Sequence, residues 1–438
     1  MAKPIVAIIG RPNVGKSTLV NRIAQTSEAI VHESRGVTRD RSYHEAEWSG
    51  VSFTLIDTGG IEMSSDDHFQ NSIRDQAFLA SEEADLVVFL VDSHTGITPD
   101  DEQVARILTR AQKPVLLAVN KLDNPADESA LWEFYALGLG DPMPVSAVHG
   151  HGTGDLLDEI VKRLPAEDGL DAQDDEEHIS VALIGRPNAG KSSLTNKMTG
   201  IERSIVSDIA GTTRDAIDTL VEHEGQIFKI IDTAGLRRKS QISDDIEYYG
   251  FVRAMRAIDR ADVALLVVDS TVGLTDQDQR VAGLADEKGC ALMILLNKWD
   301  LLETQQERDD IISRLEDRFS FVSYAPVLRI SALTGRSVHR IWAGMQLINE
   351  HRKIHIPTNK LNQLLAEMRD FGHTVSKGNR RLKMHFVTQT GHTPPEFTFY
   401  ANHPDLIDAN YRRYVENRLR SAFDLTGTPI RLRFKKKE

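Results

Sequence analysis

The chain contains the same eight-residue motif twice, as GRPNVGKS at residues 10–17 and as GRPNAGKS at residues 185–192. Both copies match the pattern GxxxxGK[ST], in which glycines let backbone N–H groups point at phosphate oxygens. A lysine in the first turn of a helix lies at the unfavourable end of the helix dipole, and a bound anion removes that conflict. Each copy therefore predicts a phosphate-binding loop, with Lys16 or Lys191 on the polyphosphate.

The likeness between the two halves continues downstream of the loops. Setting Lys16 against Lys191 gives an offset of 175 residues, and later motifs recur at offsets of 175 to 185. The recurring pairs are GVTRD at 36–40 with GTTRD at 211–215, DTGG at 57–60 with DTAG at 232–235, NKLD at 120–123 with NKWD at 297–300, and VSA at 145–147 with ISA at 330–332. Two homologous domains follow one another in the chain.

Short runs of Val, Ile and Leu alternate with helical patterns in both copies. The runs are IVAIIG, FTLID, LVVFLVD and PVLLAVN in the first copy, and ISVALIG, FKIID, VALLVVD and LMILLN in the second. Continuous apolar strands separated by helices indicate a mostly parallel sheet with helices on both faces. Ligands bind such sheets at the carboxyl ends of the strands, where the repeated motifs fall.

The end of the chain has a different pattern. NKLNQLLAEMRDF has helical spacing, KMHFVTQT and FTFYAN indicate strands, and PIRLRFKK alternates as a strand. Between them, NYRRYVENRLRSAF places Tyr411, Val415, Leu419 and Phe423 on one helical face. The order helix, strand, strand, helix, strand predicts a small α+β domain.

The polar residues of the repeated motifs fit a magnesium triphosphate. Ser17 and Ser192 follow the loop lysines, where a hydroxyl coordinates Mg²⁺. The strand-end carboxylates Asp57 and Asp232 are expected to hold the metal's coordination shell. Two further pairs complete the prediction: Thr38 and Thr213 as Mg²⁺ ligands, and Gly60 and Gly235 as backbone donors to the γ-phosphate.

The NKLD and NKWD motifs predict which base is bound. Asp123 and Asp300 can accept from both the ring N–H and the exocyclic amine of guanine, whereas adenine leaves such a carboxylate unpaired. We expect Asn120 and Asn297 to tie this loop to the phosphate loop, and the backbone of Ala147 and Ala332 to donate to the guanine O6. The predicted GTP-binding residues are Gly10, Arg11, Pro12, Asn13, Val14, Gly15, Lys16, Ser17, Asp57, Thr58, Gly59, Gly60, Ile61, Asn120, Lys121, Leu122, Asp123, Ser146 and Ala147 in the first copy, and Gly185, Arg186, Pro187, Asn188, Ala189, Gly190, Lys191, Ser192, Asp232, Thr233, Ala234, Gly235, Leu236, Asn297, Lys298, Trp299, Asp300, Ser331 and Ala332 in the second.

Charge, cysteine content and the length of the apolar runs indicate what kind of partner and cellular compartment to expect. The net charge is −13, yet residues 351–438 hold 17 Lys and Arg against 8 Asp and Glu, which suggests a polyanionic partner or merely a solvated basic surface. The single cysteine, Cys290, adjoins an apolar run and is predicted to be a buried hydrophobe, so no disulfide framework is expected. Without a run of about 18 apolar residues, we predict a cytoplasmic protein with no membrane contact.

Together these motifs resemble one family. Two P-loop GTPase domains, an acidic segment PAEDGLDAQDDEEH at 165–178, and a basic domain ending in TGTPIRLRFKKKE are similar to the Der (EngA) family of bacterial ribosome-assembly GTPases, which belongs with the Era- and TrmE-like P-loop GTPases. The resemblance covers essentially the full chain. It implies two Ras-like GTPase domains at 1–164 and 179–351 and a KH-like domain at 352–438. The acidic composition of 165–178 itself predicts a flexible linker, with an acidic binding tail as the alternative. It also implies GTP hydrolysis coupled to maturation of the large (50S) ribosomal subunit.

One departure from signalling GTPases concerns the residue after DxxG. A glutamine orients the attacking water in those proteins, whereas this chain has Ile61 and Leu236, so slow intrinsic hydrolysis is expected. The resemblance to GTPases with the same hydrophobic substitution implies a stimulating K⁺ ion held by Asn13 or Asn188. The residues assigned to catalysis itself are Lys16, Thr38, Gly60, Lys191, Thr213 and Gly235.

Two parts of the chain are candidates for contact with a partner, and the sequence allows two interpretations of each. Arg237, Arg238 and Lys239 follow the second DTAG, where they either contact RNA in one nucleotide state or form a solvated loop. The C-terminal domain has no GxxG spacing, so it either docks on the GTPase domains or contacts rRNA phosphates through scattered cations. The predicted protein is a monomer. Its alternatives are an RNA or protein scaffold with incidental hydrolysis, and a tRNA-modification GTPase, although no modifying domain or C-terminal cysteine motif supports the latter.

Overall fold

Each phosphate loop joins a buried apolar strand to a helix that begins at the loop lysine. In the first copy, β1 (Ile5–Ile9) leads into α1 (Lys16–Thr26). In the second copy, β7 (His178–Ile184) leads into α4 (Lys191–Ile201). All five residues of β1 are buried, which leaves its carboxyl end as the place where polar groups meet.

The structure is a computed structural model, and it describes residues 3–26, 43–57, 84–111, 113–123, 128–165, 178–201, 218–231, 246–370, 376–377 and 380–436. These residues form two compact units, one up to residue 165 and the other from residue 178. The second unit contains both the second copy and the C-terminal domain. The predicted linker lies almost wholly outside the described residues.

The first unit is a six-stranded sheet in the order β2-β3-β1-β4-β5-β6. Among its described strands, only β2 runs antiparallel, against β3. Its further elements are β2 (Tyr43–Trp48), β3 (Val51–Asp57), β4 (Leu86–Asp92), α2 (Pro99–Ala111), β5 (Val115–Asn120), a 3-10 helix (Glu128–Leu137), β6 (Met143–Pro144) and α3 (Thr153–Arg163).

The second copy repeats this topology as β12-β11-β10-β7-β9-β8, in which β8 again pairs antiparallel with β9. Its elements after α4 are β8 (Thr219–His223), β9 (Gln226–Ile231), α5 (Ile246–Arg260), β10 (Val263–Asp269), α6 (Asp276–Lys288), β11 (Ala291–Asn297), a 3-10 turn (Trp299–Leu301), α7 (Gln305–Arg318), a 3-10 turn (Ser320–Val322), β12 (Val327–Arg329) and α8 (His339–Arg352).

The C-terminal domain is a three-stranded sheet covered by two helices. Strand β16 pairs antiparallel with β15 and parallel with β17. The elements are α9 (Thr358–Asp370), a short hairpin of β13 (Ser376–Lys377) and β14 (Arg380–Arg381), β15 (Met384–His392), β16 (Pro395–Ala401), a 3-10 turn (Pro404–Leu406), α10 (Ala409–Ala422) and β17 (Arg431–Lys436).

The predicted fold class is confirmed. Strands β4, β10 and β11 are buried along their whole length, as their unbroken apolar sequences require. Apart from the short hairpin of β13 and β14, which was not predicted, the C-terminal elements follow the expected helix, strand, strand, helix, strand order. Val415 and Leu419 of the predicted helical face are buried. Edge strands β2 and β8 were not predicted, because YHEAEW and TLVEH mix polar with apolar residues.

Two smaller expectations concern burial and membranes. Cys290 is 3% exposed, and burial raises the pKa of its thiol to about 12, so the sulfur packs as a small apolar group. Across the described part of the chain, none of the helices has the length and apolar character needed to cross a membrane.

Candidate functional site

The two loop lysines are held by the carbonyl groups of their own loops. Lys16 Nζ donates to the backbone oxygens of Gly10 (2.7 Å) and Arg11 (2.8 Å). Lys191 Nζ donates to those of Gly185 and Arg186, both at 2.6 Å. Burial lowers the pKa of each lysine to about 8. A positive charge with so little water around it favours an anionic ligand beside it.

Glycine is required where the loop passes the strand β5 or β11. Gly15 has φ +98°, and a Cβ atom there would lie 2.3 Å from Asn120 Nδ2. Gly190 has φ +100° and would place its Cβ 2.2 Å from Asn297 Nδ2. Both asparagines can approach because there is no side chain in the way.

These asparagines tie three segments together. Asn120 Nδ2 donates to the carbonyl oxygen of Val14 (2.7 Å), and its Oδ1 accepts from the N–H of Ala147 (2.9 Å). Asn297 makes the same two bonds, to the oxygen of Ala189 (2.8 Å) and from the N–H of Ala332 (2.9 Å). The structure thus joins phosphate loop, NKxD motif and SA motif in both copies. The N–H groups assigned to the guanine O6 donate here to asparagine.

The first base-recognition loop is braced by polar contacts. Asp123 Oδ1 accepts from the Ser146 hydroxyl at 2.7 Å, and His149 Nε2 lies 3.9 Å from Asp123 Oδ2. Arg22 donates to the carbonyl oxygens of Ala147 and Val148, which fixes the backbone beside that serine. Asp123 is therefore held with one carboxylate oxygen engaged.

The lysine of each NKxD motif pairs with a strand-end aspartate. Lys121 Nζ lies 2.7 Å from Asp92 Oδ2, and Lys298 Nζ bonds Asp269 in the same way. Although burial opposes it, the lysine bond lowers the pKa of Asp92 and of Asp269, so both carboxylates stay ionised. In the second copy, Trp299 is buried beneath the Arg329 guanidinium, 5.2 Å away.

An arginine in each phosphate loop forms a buried ion pair with the helix that follows β4 or β10. Arg11 Nε lies 2.9 Å from Asp101 Oδ1, and Arg186 Nε lies 3.2 Å from Asp278 Oδ2. Both aspartate side chains are fully buried. The pair places the start of α2 or α6 against the phosphate loop.

Other predicted residues have simpler positions. Asp57 ends β3 and is 3% exposed, while Ser17 and Ser192 lie exposed at the start of their helices. Asn13 and Asn188 have φ values near +60° in their loops. The following predicted residues lie outside the described part of the chain: Thr38, Thr58, Gly59, Gly60, Ile61, Thr213, Asp232, Thr233, Ala234, Gly235, Leu236, Arg237, Arg238 and Lys239.

Sequence reasoning missed the four aspartates that pair with motif cations. The signal was available as a further repeat: residues 92–101 and 269–278 share the pattern D-S-x-x-G-[IL]-T-x-x-D at the offset of the NKxD motifs. Its first aspartate pairs with the NKxD lysine, and its last aspartate pairs with the loop arginine.

Comparison with known proteins places this geometry in a family. A model described as "50S ribosome-binding GTPase" matches residues 5–121 and again 180–298. A model described as "KH-domain-like of EngA bacterial GTPase enzymes, C-terminal" matches residues 355–435. GTPase Der of Moorella thermoacetica is 48% identical over 437 residues, covering 100% of this chain and 99% of the relative. The chain belongs to the Der family of GTPases.

A second relative and a solved structure complete the comparison. GTPase Der of Clostridium acetobutylicum is 46% identical over 439 residues, with both chains covered in full. The solved structure is a variant of Aquifex aeolicus Era bound to GDP and AlF4−, with 20% identity, a TM-score of 0.30, and coverage of 60% of this chain and 94% of that one. The Der-family chain is a GTPase with two tandem P-loop domains and a KH-like C-terminal domain.

Proposed function

We propose that both P-loop domains bind and hydrolyse GTP with Mg²⁺, through the residues predicted from their motifs. The observation that carries the proposal is the matched pair of largely dehydrated lysines, Lys16 and Lys191, each in a glycine loop tied to an NKxD asparagine. Ser17 and Ser192 would hold the metal from the first helical turn, with Asp57 in its coordination shell. When bound, the metal would supply positive charge that offsets the negative charge of the transition state.

The base preference follows from the NKxD carboxylates. Asp123 has one oxygen engaged by Ser146, and a bidentate contact from guanine would use the two N–H donors that adenine lacks. The asparagines Asn13 and Asn188, one in each phosphate loop, are proposed to hold K⁺ where another GTPase would place an arginine finger. Such fingers raise turnover by roughly 10³ to 10⁵.

The potassium proposal has a direct test. GTP turnover is measured at equal ionic strength in K⁺ and in Na⁺, with Asn13→Ala and Asn188→Ala variants. Faster turnover in K⁺, lost in the variant of the responsible site, is the expected result. Equal turnover in the two salts would remove K⁺ from the mechanism.

We propose that the nucleotide states of the two P-loop domains control docking on the large ribosomal subunit or its precursor. The docking protein is proposed to be a monomer in the cytoplasm. The family description of a 50S ribosome-binding GTPase supports this, as does the basic C-terminal domain, which could contact rRNA phosphates. Arg237, Arg238 and Lys239 are proposed as further RNA contacts. Two sites give four combined nucleotide states, so one can license binding and the other release.

Co-sedimentation tests the docking proposal. The purified chain is spun with 30S, 50S and 70S particles in K⁺ buffer, with GDP or a nonhydrolysable GTP analogue. Retention on 50S particles only with the analogue is expected, and it should be lost in the lysine variant, Lys16→Ala or Lys191→Ala, of the site that licenses binding. Retention on no particle in either state would point to another target. Ribosome assembly supported equally well by both lysine variants would favour a scaffold instead.

A further inference from the structure

Helix α6 begins at the second phosphate loop. Its N-cap, Thr275, forms a capping box with Asp278, whose carboxylate accepts from the Thr275 N–H (3.0 Å) and hydroxyl (2.8 Å). The other partner of Asp278 is the loop residue Arg186, whose backbone oxygen accepts from Lys191. Arg186 also donates to the carbonyl oxygen of Gly273 at 3.1 Å. The start of α6 is thereby fastened to the loop that holds the lysine.

The same helix ends against the C-terminal domain. Arg431, at the start of β17, donates to two carbonyl oxygens in the last turn of α6, those of Asp286, at 2.9 Å, and Glu287. A cation at this end complements the helix dipole. It adds a donor at the Asp286 oxygen, which also accepts from the Gly289 N–H at 3.0 Å. The C-cap, Gly289, is so close to the domain that a Cβ there would lie 2.7 Å from Pro394.

Neighbouring contacts keep this end of α6 in place. The Asp286 carboxylate accepts from the Tyr324 hydroxyl at 2.7 Å, and the guanidinium of Arg420 lies 4.4 Å from the centre of the Tyr324 ring. Gly427 bridges the domains as well, since its carbonyl oxygen accepts from the N–H of Leu292 (2.8 Å). The C-terminal domain is thus held against the second GTPase domain by more contacts than that of Arg431 alone.

We propose that Arg431 is a positioning residue for the second nucleotide site, acting through α6 on the Arg186–Asp278 pair and thereby on the phosphate loop. The helix has 13 residues and so spans about 20 Å. Its inner face, with Val281, Ala282 and Ala285, is buried in the core of the second domain. A packed helix with both ends fastened moves as one body, so loosening one end changes the position of the other.

The inference rests on the proposed second nucleotide site but not on ribosome docking. It implies reciprocity: a nucleotide in the second phosphate loop stabilises the contact between α6 and the C-terminal domain to the same degree that the contact stabilises the nucleotide. The second GTPase domain would in this way communicate its nucleotide state directly to the basic domain.

The test measures affinity of the full chain for a fluorescent GDP in a Lys16→Ala background, which isolates the second site. Arg431→Ala should weaken binding at least about fivefold, the lower end of typical coupling. Arg431→Lys should recover part of the loss, because an ammonium can still donate to a helix carbonyl. Arg433→Ala is the matched control: it lies on the same strand, is exposed, and pairs with Glu396 of its own domain at 2.8 Å. The control should leave affinity within about a factor of two, the range expected of a surface change away from the helix.

A double-mutant cycle separates positioning from general destabilisation. In an Asp278→Asn background, where the link to Arg186 is weakened, Arg431→Ala should have little further effect on affinity. Equal effects of Arg431→Ala and Arg433→Ala, or fully additive effects of Arg431→Ala and Asp278→Asn, would overturn the proposal. If the Lys16→Ala parent itself bound no nucleotide, the proposed second site would fail instead, and the two failures are therefore distinct.

Discussion

At the scale of single residues, each phosphate loop contains a lysine whose charged form is destabilised by burial. Lys16 is 5% exposed, and its ammonium group donates to the carbonyl oxygens of Gly10 and Arg11. Burial lowers the pKa of Lys16 and of Lys191 to about 8, with the charges of Asp57 and Asp278, respectively, opposing the shift. A bound triphosphate would restore the ordinary preference for the charged form.

This predicts a pH-dependent affinity for guanine nucleotide. Binding favours the charged lysine, so above pH 8 the free site must take up a proton to bind. Affinity at each site should therefore fall about tenfold between roughly pH 7 and pH 9, with net proton uptake. Calorimetry in two buffers of different ionisation enthalpy measures both quantities. An affinity that stays constant over this range would show that the lysines are charged throughout.

The glycines beside the asparagines give a second prediction. Gly190→Ala would force an L-residue into φ +100° and push its methyl group onto Asn297 Nδ2, so nucleotide affinity at the second site should fall at least about tenfold. Gly200→Ala, in the helix that follows the loop, is the control. Among the described residues, and apart from its chain neighbours and the backbone of its own helix, no atom lies within 4 Å of its Cβ position. Alanine should stabilise that helix by up to about 1 kcal/mol. Equal affinities of the two variants would contradict the role given to Gly190.

At the scale of secondary-structure elements, α2 and α6 are fastened to their loops by ion pairs whose carboxylates are shielded from solvent. Asp101 and Asp278 are both fully buried, and each also caps its own helix through a threonine. Burial raises the pKa of Asp278, even though Thr275, Arg186 and Lys191 favour its charged form. Such a pair specifies the position of a helix more than it adds stability.

Removing one partner of this ion pair should therefore destabilise the protein more than replacing both partners with apolar residues. Asp278→Ala leaves Arg186 buried without its counter-charge, and we expect a loss of about 3 kcal/mol or more in the free energy of unfolding. The double variant Arg186→Met with Asp278→Leu should lose much less, because no charge stays buried. Asp276→Ala is the control, since that side chain is 82% exposed, and it should cost under about 1 kcal/mol. Urea unfolding of the three variants measures these losses in the free energy of unfolding. A double variant as unstable as Asp278→Ala would contradict this account.

The sequence predicted the central strands, the loop lysines and the C-terminal element order, because burial on both faces and the GxxxxGK[ST] spacing leave local signals. It did not predict β2, whose pairing with β3 depends on partners rather than on its own alternation. The Arg186–Asp278 pair was also missed, because it joins residues distant in the chain that only the folded sheet brings together. The repeated pattern D-S-x-x-G-[IL]-T-x-x-D was a sequence signal for this pair.

At the scale of the whole molecule, the described residues form two units, each with one complete phosphate loop, and the C-terminal domain belongs to the second. The contacts of α6 with Arg431 give that domain a route to the second nucleotide site. The two P-loop domains share one topology, so any difference in their roles must come from residues outside the shared motifs.

Independent control of the two sites tests the central claim that they act as separate switches for docking. Asp123→Asn and Asp300→Asn replace an acceptor with an amide that can donate to the 2-carbonyl of xanthine, so each variant should bind a xanthine nucleotide at one site and a guanine nucleotide at the other. All four combinations of diphosphate and nonhydrolysable triphosphate can then be loaded.

The decisive measurement is co-sedimentation with 50S particles in these four states for both variants. The account predicts that retention differs among the states and that exchanging the nucleotide at one site changes retention by a different amount from exchange at the other. Retention that is identical in all four states would contradict nucleotide-gated docking, while retention that depends on only one site would show that the chain contains a single switch.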